Sequence, residues 1–219
     1  VLVVSIGGND VAMLPMPCTI LAMAGLLLLP TSCVEHGCSL CTVPLDDCCC
    51  GCGASVASCF CACPPCLGYF AHLFKTRVEY YLRALTSRTK PRKILVCMIY
   101  YPGEAPTPSW AGGALGAMGY NKDPAKLQTF IRKTFTDATS KIRIPGTQVI
   151  PVPLFNVLDG KRTADYVARV EPSAQGGRVM AEFLLDLIHQ STNTNNNEVV
   201  VTMDKVPTAP QTSYMQDRR

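Results

Sequence analysis

Charge is what this chain has least of. Asp, Glu, Lys and Arg make up 16% of its 219 residues while apolar residues make up 48%, which excludes an intrinsically disordered chain, whose balance runs the other way. Between Asp10 and Glu35 there is no charge at all. Histidine is reduced to His36, His72 and His189, and tryptophan to Trp110. Cysteine is nearly absent outside residues 18–66, where Cys97 alone carries it. The net charge of +4 comes from Lys and Arg spread along helical faces and the C-terminal tail, with no basic stripe interleaved with aromatics, so no nucleic-acid partner is expected. "AGGALGAMGYN", Ala111 to Asn121, is rich in glycine but lacks the Lys and the spacing of a phosphate loop, and no cofactor is expected. Neither an initiator Met nor a basic leader precedes the first apolar run, which suggests a piece of something longer.

What is present in excess is a block of cysteines. Twelve of the 13 lie between Cys18 and Cys66. Cys38-x-x-Cys41 and Cys63-x-x-Cys66 have the spacing of zinc ligands, and His36 and His72 flank the block. Runs such as Cys48-Cys49-Cys50 blur any four-ligand set, leaving disulfides, metal and lipidated or membrane-adjacent thiols all open. The uncharged stretch "VAMLPMPCTILAMAGLLLLPTSCV" is long enough for a membrane span, but Pro15 and Pro17 interrupt it and leave a short apolar core from Cys18 to Leu29. Membrane association through residues 11–34 and 48–74 therefore stands beside a simpler reading, an insertion packed on its own domain or on a partner. Cys97, inside an apolar run, reads as a small buried hydrophobe.

Three strands are expected: Val1 to Ile6, Ile94 to Tyr101 and Thr147 to Pro153, each apolar and bounded by Gly, Pro or charge. Between and after them run helical patterns. Phe70, Leu73, Phe74, Val78, Tyr81, Leu82 and Leu85 recur at one such spacing. Leu127, Phe130, Ile131, Phe135, Ala138 and Ile142 follow the cap-and-proline pair Asp123-Pro124. Val179, Met180, Phe183, Leu184, Leu187 and Ile188 end at Gln190, with His189 as a solvated cap. Apolar strands alternating with amphipathic helices mean an α/β chain with a parallel sheet covered on both faces. Its functional loops then leave the strand C-termini: Gly7 to Val11, Pro102 to Asn121 and Leu154 to Ser173. Trp110 and Tyr120, in the second loop, wall a cleft or cover the core. Residues 191–219, beginning "STNTNNNE", form a polar tail.

"SIGGND", Ser5 to Asp10, directly follows the first strand, and Gly7-Gly8-Asn9-Asp10 resembles the Gly-x-Asn-Asp block of the SGNH (GDSL-type) ester hydrolases. That resemblance implies a flavodoxin-like three-layer α/β/α parallel sheet, here partial and carrying the cysteine-rich insertion at about 18–68 within a domain of residues 1–190. It also implies a role for Asn9, whose amide would donate to the oxyanion formed during acyl transfer. A second stretch, "RVEPSAQGGRVMAEFLLDLI" from Arg169 to Ile188, is similar to the family's last block, Asp-x-x-His-Pro-Ser-x-x-Gly. Pro172, Ser173, Gly176 and Ala181 match it. Ala168 stands where the family has Asp and Glu171 where it has the general-base His, and Asp165, three residues earlier, is the candidate displaced acid. A carboxylate does imidazole's work near neutral pH only if its pKa is strongly raised. The family's nucleophilic Ser lies in a Gly-Asp-Ser block ahead of Gly-x-Asn-Asp, and no such block occurs here; Ser5 reads as a core hydroxyl. Two functions follow: a divergent hydrolase of small-molecule esters using Asn9, Glu171 and Asp165, with its nucleophile upstream, or a catalytically silent domain kept for binding or membrane association.

Overall fold

The computed structural model describes residues 1–6, 17–28, 30–36 and 67–190. In chain order the elements are β1 (Leu2–Ser5), α1 (Pro17–Leu28), α2 (Thr31–His36), α3 (Leu67–Ala71), a π-helical segment (His72–Arg77), α4 (Val78–Leu85), β2 (Lys93–Met98), α5 (Gly112–Ala117), α6 (Pro124–Asp137), β3 (Gln148–Pro153), the short strands β4 (Tyr166–Val167) and β5 (Glu171–Pro172), and α7 (Ala174–Gln190). The chain is mixed helix and strand around a small parallel sheet of order β1-β2-β3. The three expected strands are therefore parallel neighbours, with Val4 beside Val96 and Leu95 beside Ile150 in the registers.

The middle strand explains the layering. Every residue of β2 is buried, as a run apolar on both faces requires. Ile94 and Val96 point to one side, where Val78 and Leu82 of α4 and Ile142 complete a core cluster. Leu95 and Cys97 point to the other, against Leu187 of α7 with Met180, Phe183 and Leu184 packed around it. A third cluster, holding Phe70, Phe74, Met98, Phe130, Ile131 and Phe155, joins α3 and α6 to the end of β2 and also takes in Ala22 and Leu26 of α1. Cys97 is buried as expected, and desolvation pushes its thiol up to about 11.

Three expectations are corrected. A sheet covered on both faces implies a buried first strand, yet only Val4 of β1 is buried, with Val1 and Val3 exposed. It is an edge of the described sheet, so one face and one row of backbone groups lack a neighbouring strand. For the same reason Ser5 is exposed, not a core hydroxyl. Tyr81 and Leu85 were expected on the buried face of their helix but are turned outward. The wide turn over His72–Arg77 adds a residue and rotates the following helix, so the buried line becomes Val78, Leu82 and Thr86. Asp123, in contrast, caps α6 as its sequence implied, its side chain accepting from the Ala125 N–H at 3.1 Å with Pro124 in the first turn.

Among the described residues no helix is long and apolar enough to cross a membrane. The 12 residues of α1 span about 18 Å, well short of a bilayer core of about 30 Å. Residues 7–16, 29, 37–66 and 191–219, on which the expected turn motif, most of the cysteine block and the polar tail fall, lie outside the described residues.

Candidate functional site

The loops that leave the C-terminal ends of β2 and β3 are tied together before any side chain is considered. The Tyr101 N–H donates to the Leu158 carbonyl at 3.1 Å, that of Glu104 to Gly160 at 2.8 Å, and that of Gly103 to Arg169 at 2.7 Å. Gly160 has φ +85°, and a Cβ there would sit 2.6 Å from the Pro102 carbonyl oxygen, so this close approach requires glycine.

Arg169 is the centre of the knot. It is 3% exposed, and no acid pairs with it among the described residues. Its Nε donates to the Gly103 carbonyl at 3.0 Å and its Nη1 to Asn121 Oδ1 at 2.8 Å, while its guanidinium lies 5.9 Å from the centre of the Tyr120 ring. Tyr120, wholly buried, donates its hydroxyl to the Pro102 carbonyl at 2.6 Å. Burial pushes that phenol up to about 12. It therefore covers the core and does not wall a cleft. Tyr166 accepts from the Gly160 N–H at 2.8 Å, and desolvation raises its pKa as well.

β4 and β5 form a small antiparallel hairpin on this base, pairing Val167 with Glu171. Its turn places Ala168 at φ 49° and Arg169 at φ 67°, left-handed conformations that cost a non-glycine residue about 1 kcal/mol or more each. The bonds of Arg169 and the Ser109 hydroxyl, which donates to the Ala168 carbonyl, hold the turn in place. No Gly or Asn marks it, which is why sequence patterning missed the hairpin.

Of the predicted site residues, Glu171 sits on β5 at this end of the sheet and Asp165 at the start of the hairpin. Glu171 is exposed; its Oε1 accepts from Trp110 Nε1 at 3.1 Å. Tyr100 is beside it, donating to the Val170 carbonyl at 2.8 Å; burial raises its pKa and the nearby Glu171 carboxylate adds to the shift. Trp110 is 54% exposed, so an indole face and a carboxylate are open together. Asp165 is buried, with both oxygens held by Arg162 at 2.8 Å. It makes no hydrogen bond to Glu171. Asn9, with the rest of the Gly7 to Asp10 motif, lies outside the described residues, as do the two Cys-x-x-Cys pairs.

The Pro172-Ser173 joint has a plain mechanical role. Ser173 caps α7: its hydroxyl accepts from the Gly176 N–H at 3.1 Å and donates to the Ala164 carbonyl at 2.6 Å. The Ser173 N–H donates to the Asp165 carbonyl at 2.8 Å. A Cβ on Gly176 would fall inside the contact radius of that same carbonyl oxygen, so the helix start and the hairpin approach closely only because residue 176 is glycine.

Among the described residues no three His, Cys, Asp or Glu side chains cluster as metal ligands. A surface concavity of about 210 Å³, lined by Ala117, Met118, Gly119, Asp123 and Lys126, is below the usual 300–1,000 Å³ of small-molecule sites and contains none of the candidates. No family model, curated protein or solved structure matches the chain.

Proposed function

We propose that the chain is a divergent SGNH-type ester hydrolase domain whose partial flavodoxin-like sheet carries the cysteine-rich insertion. The observation that carries the reading is the joint Glu171-Pro172-Ser173-x-x-Gly176. There a cap serine and a close-approach glycine start the last helix directly after an exposed carboxylate, at the C-terminal end of a parallel sheet. In this reading Asn9 donates to the oxyanion and Glu171 is the proton acceptor. Its Oε1 is oriented by the Trp110 N–H while Oε2 is left for the reacting hydroxyl. Asp165, clasped by Arg162, fixes the hairpin through its main chain. The serine nucleophile would come from sequence preceding Val1.

A second reading, a catalytically silent domain used for binding, is favoured by one feature of the same geometry: both candidate carboxylates are already engaged, by Trp110 and by Arg162. Assay of the protein with its preceding sequence on a panel of short-chain acyl esters separates the two. The hydrolase reading expects activity that falls roughly a hundredfold on Asn9→Ala, falls on Glu171→Gln, and is kept or raised near neutral pH by Glu171→His. A folded protein inert across the panel and indifferent to Asn9→Ala establishes the silent domain.

A further inference from the structure

The opposite end of the sheet, where the strands begin, carries a second feature that the candidate site does not use. From the end of the π-helical segment through α4 to the residue before β2, the chain exposes Arg77, Arg83, Arg88, Lys90 and Arg92, with Glu79 the only acid among them. Glu79 is turned to the main chain, accepting from the Arg143 N–H at 2.9 Å. Residues 143–148 lie alongside: Arg83 donates to the Arg143 carbonyl at 3.3 Å, Lys90 to that of Pro145 at 3.1 Å, and the Gln148 N–H to that of Arg92 at 3.1 Å. Arg143, itself exposed, becomes the sixth cation of the patch.

None of these six has an acid partner among the described residues, whose ion pairs are Lys133–Asp137, Lys141–Asp137 and Arg162–Asp165. Six cations crowded around one carboxylate repel one another, and a surface of fixed negative charge relieves that repulsion. Beside them, on the outer face of α4, stand Tyr80, Tyr81 and Leu85, 78%, 49% and 51% exposed. Tyr81 and Leu85 lie one turn apart on the same ridge. An aliphatic and aromatic ridge flanked by Arg gains by entering the boundary between headgroups and acyl chains, and Leu85 gains nothing from a phosphate backbone in water.

We propose that this pole is a docking surface for an anionic membrane, with the cations on lipid phosphates and carboxylates and the Tyr80, Tyr81 and Leu85 side chains at headgroup depth. Docking this way turns the Glu171 end of the sheet toward water. The inference is independent of whether the domain hydrolyses esters.

The test is sedimentation of the chain with vesicles of phosphatidylcholine alone and with about 30% phosphatidylserine, each at low and high salt. Binding should be roughly tenfold or more tighter to the anionic vesicles, with the difference abolished by high salt. Arg77, Arg88 and Arg92 donate no side-chain hydrogen bond among the described residues, so Arg77→Glu/Arg88→Glu/Arg92→Glu should fold with an unchanged melting temperature. It should lose roughly a hundredfold in anionic-vesicle binding while its residual phosphatidylcholine binding is unchanged. Tyr81→Ser/Leu85→Ser should lose several-fold with the salt dependence intact. Equal binding to both vesicle types, a triple variant that binds like the parent, or capture by a single-stranded oligonucleotide with none by vesicles would each overturn the proposal.

Discussion

Arg169 and Arg88 stand at opposite ends of the same three-stranded sheet, and the fold treats them in opposite ways. Arg169 is buried, tied to Gly103 and Asn121, and set in a left-handed turn. Arg88 is exposed and bonded to nothing among the described residues. The contrast extends to their neighbours. At the C-terminal end Asp165 is held by Arg162, Glu104 by Gln128 at 2.8 Å and Glu171 by Trp110. At the N-terminal end six cations share one acid. A charge that the fold has bonded is structural, and its loss is felt in stability. A charge left free adds little to stability and is available to a partner.

The largest effect expected from breaking this contrast is at Arg169. Arg169→Ala leaves the buried Gly103 carbonyl short of a donor, removes the bond to the exposed Asn121 and empties the space of a buried side chain, and chemical denaturation should report a loss of about 3–4 kcal/mol. Gly176→Ala comes next. Its methyl must displace the Asp165 carbonyl from the start of α7, at a cost of about 2–3 kcal/mol, measurable in the same way. If Gly176→Ala were neutral, the hairpin would not be anchored to that helix as described.

The third effect is one of pH. The Tyr120 phenol is held at about 12 in the fold against 10.0 when free, because burial disfavours the phenolate. A folded value above the unfolded one gives stability that is complete below pH ~10 and is lost as pH rises through ~12, up to about 3 kcal/mol across that window. Denaturation curves between those limits should show this fall, and Tyr120→Phe should make it shallower, the remainder coming from the buried Cys97, Tyr100 and Tyr166, even though the variant loses the bond to Pro102 at neutral pH. The smallest effect belongs to the other pole. Arg88→Glu/Arg92→Glu should change stability by no more than about 0.5 kcal/mol in either direction. A large loss there would mean that these side chains are bonded and would erase the contrast.

Much of the scaffold was legible because its signals are local. The Asp123-Pro124 cap, the three apolar runs and the helical spacing of Met180, Phe183, Leu184 and Leu187 each occupy a few residues and each located its element, with strand ends up to three residues off and two helix ends about five off, since α6 stops at Asp137 short of Ile142 and α7 starts at Ala174 ahead of Val179. Less of the candidate site was legible. Glu171 was singled out by a motif, but its partner Trp110 is 61 residues away, and Arg169 carried no signal because nothing local marks an arginine for burial. The basic pole was missed in the same way. Five of its six cations lie close together in the chain, from Arg77 to Arg92, but that they carry no acid partner and are joined by Arg143 follows only from residues 143–148 lying against the end of α4 and the start of β2.

By itself, then, the sequence determined periodicity and composition: which runs extend, which coil, where helices start, and that the strands of such a chain lie parallel. Tertiary structure decided how much of each apolar run is covered: β1, at an edge of the described sheet, buries only Val4, while β2 at its centre is buried throughout, its Lys93 included. It also decided which face of α4 is wet, through one wide turn upstream, and which arginines are bonded and which are free. The physical reason is range. Backbone preference and hydrophobic alternation act over a turn or a strand, whereas burial and the bonding of these arginines to main-chain carbonyls depend on neighbours that the chain brings together from 60 or more residues apart.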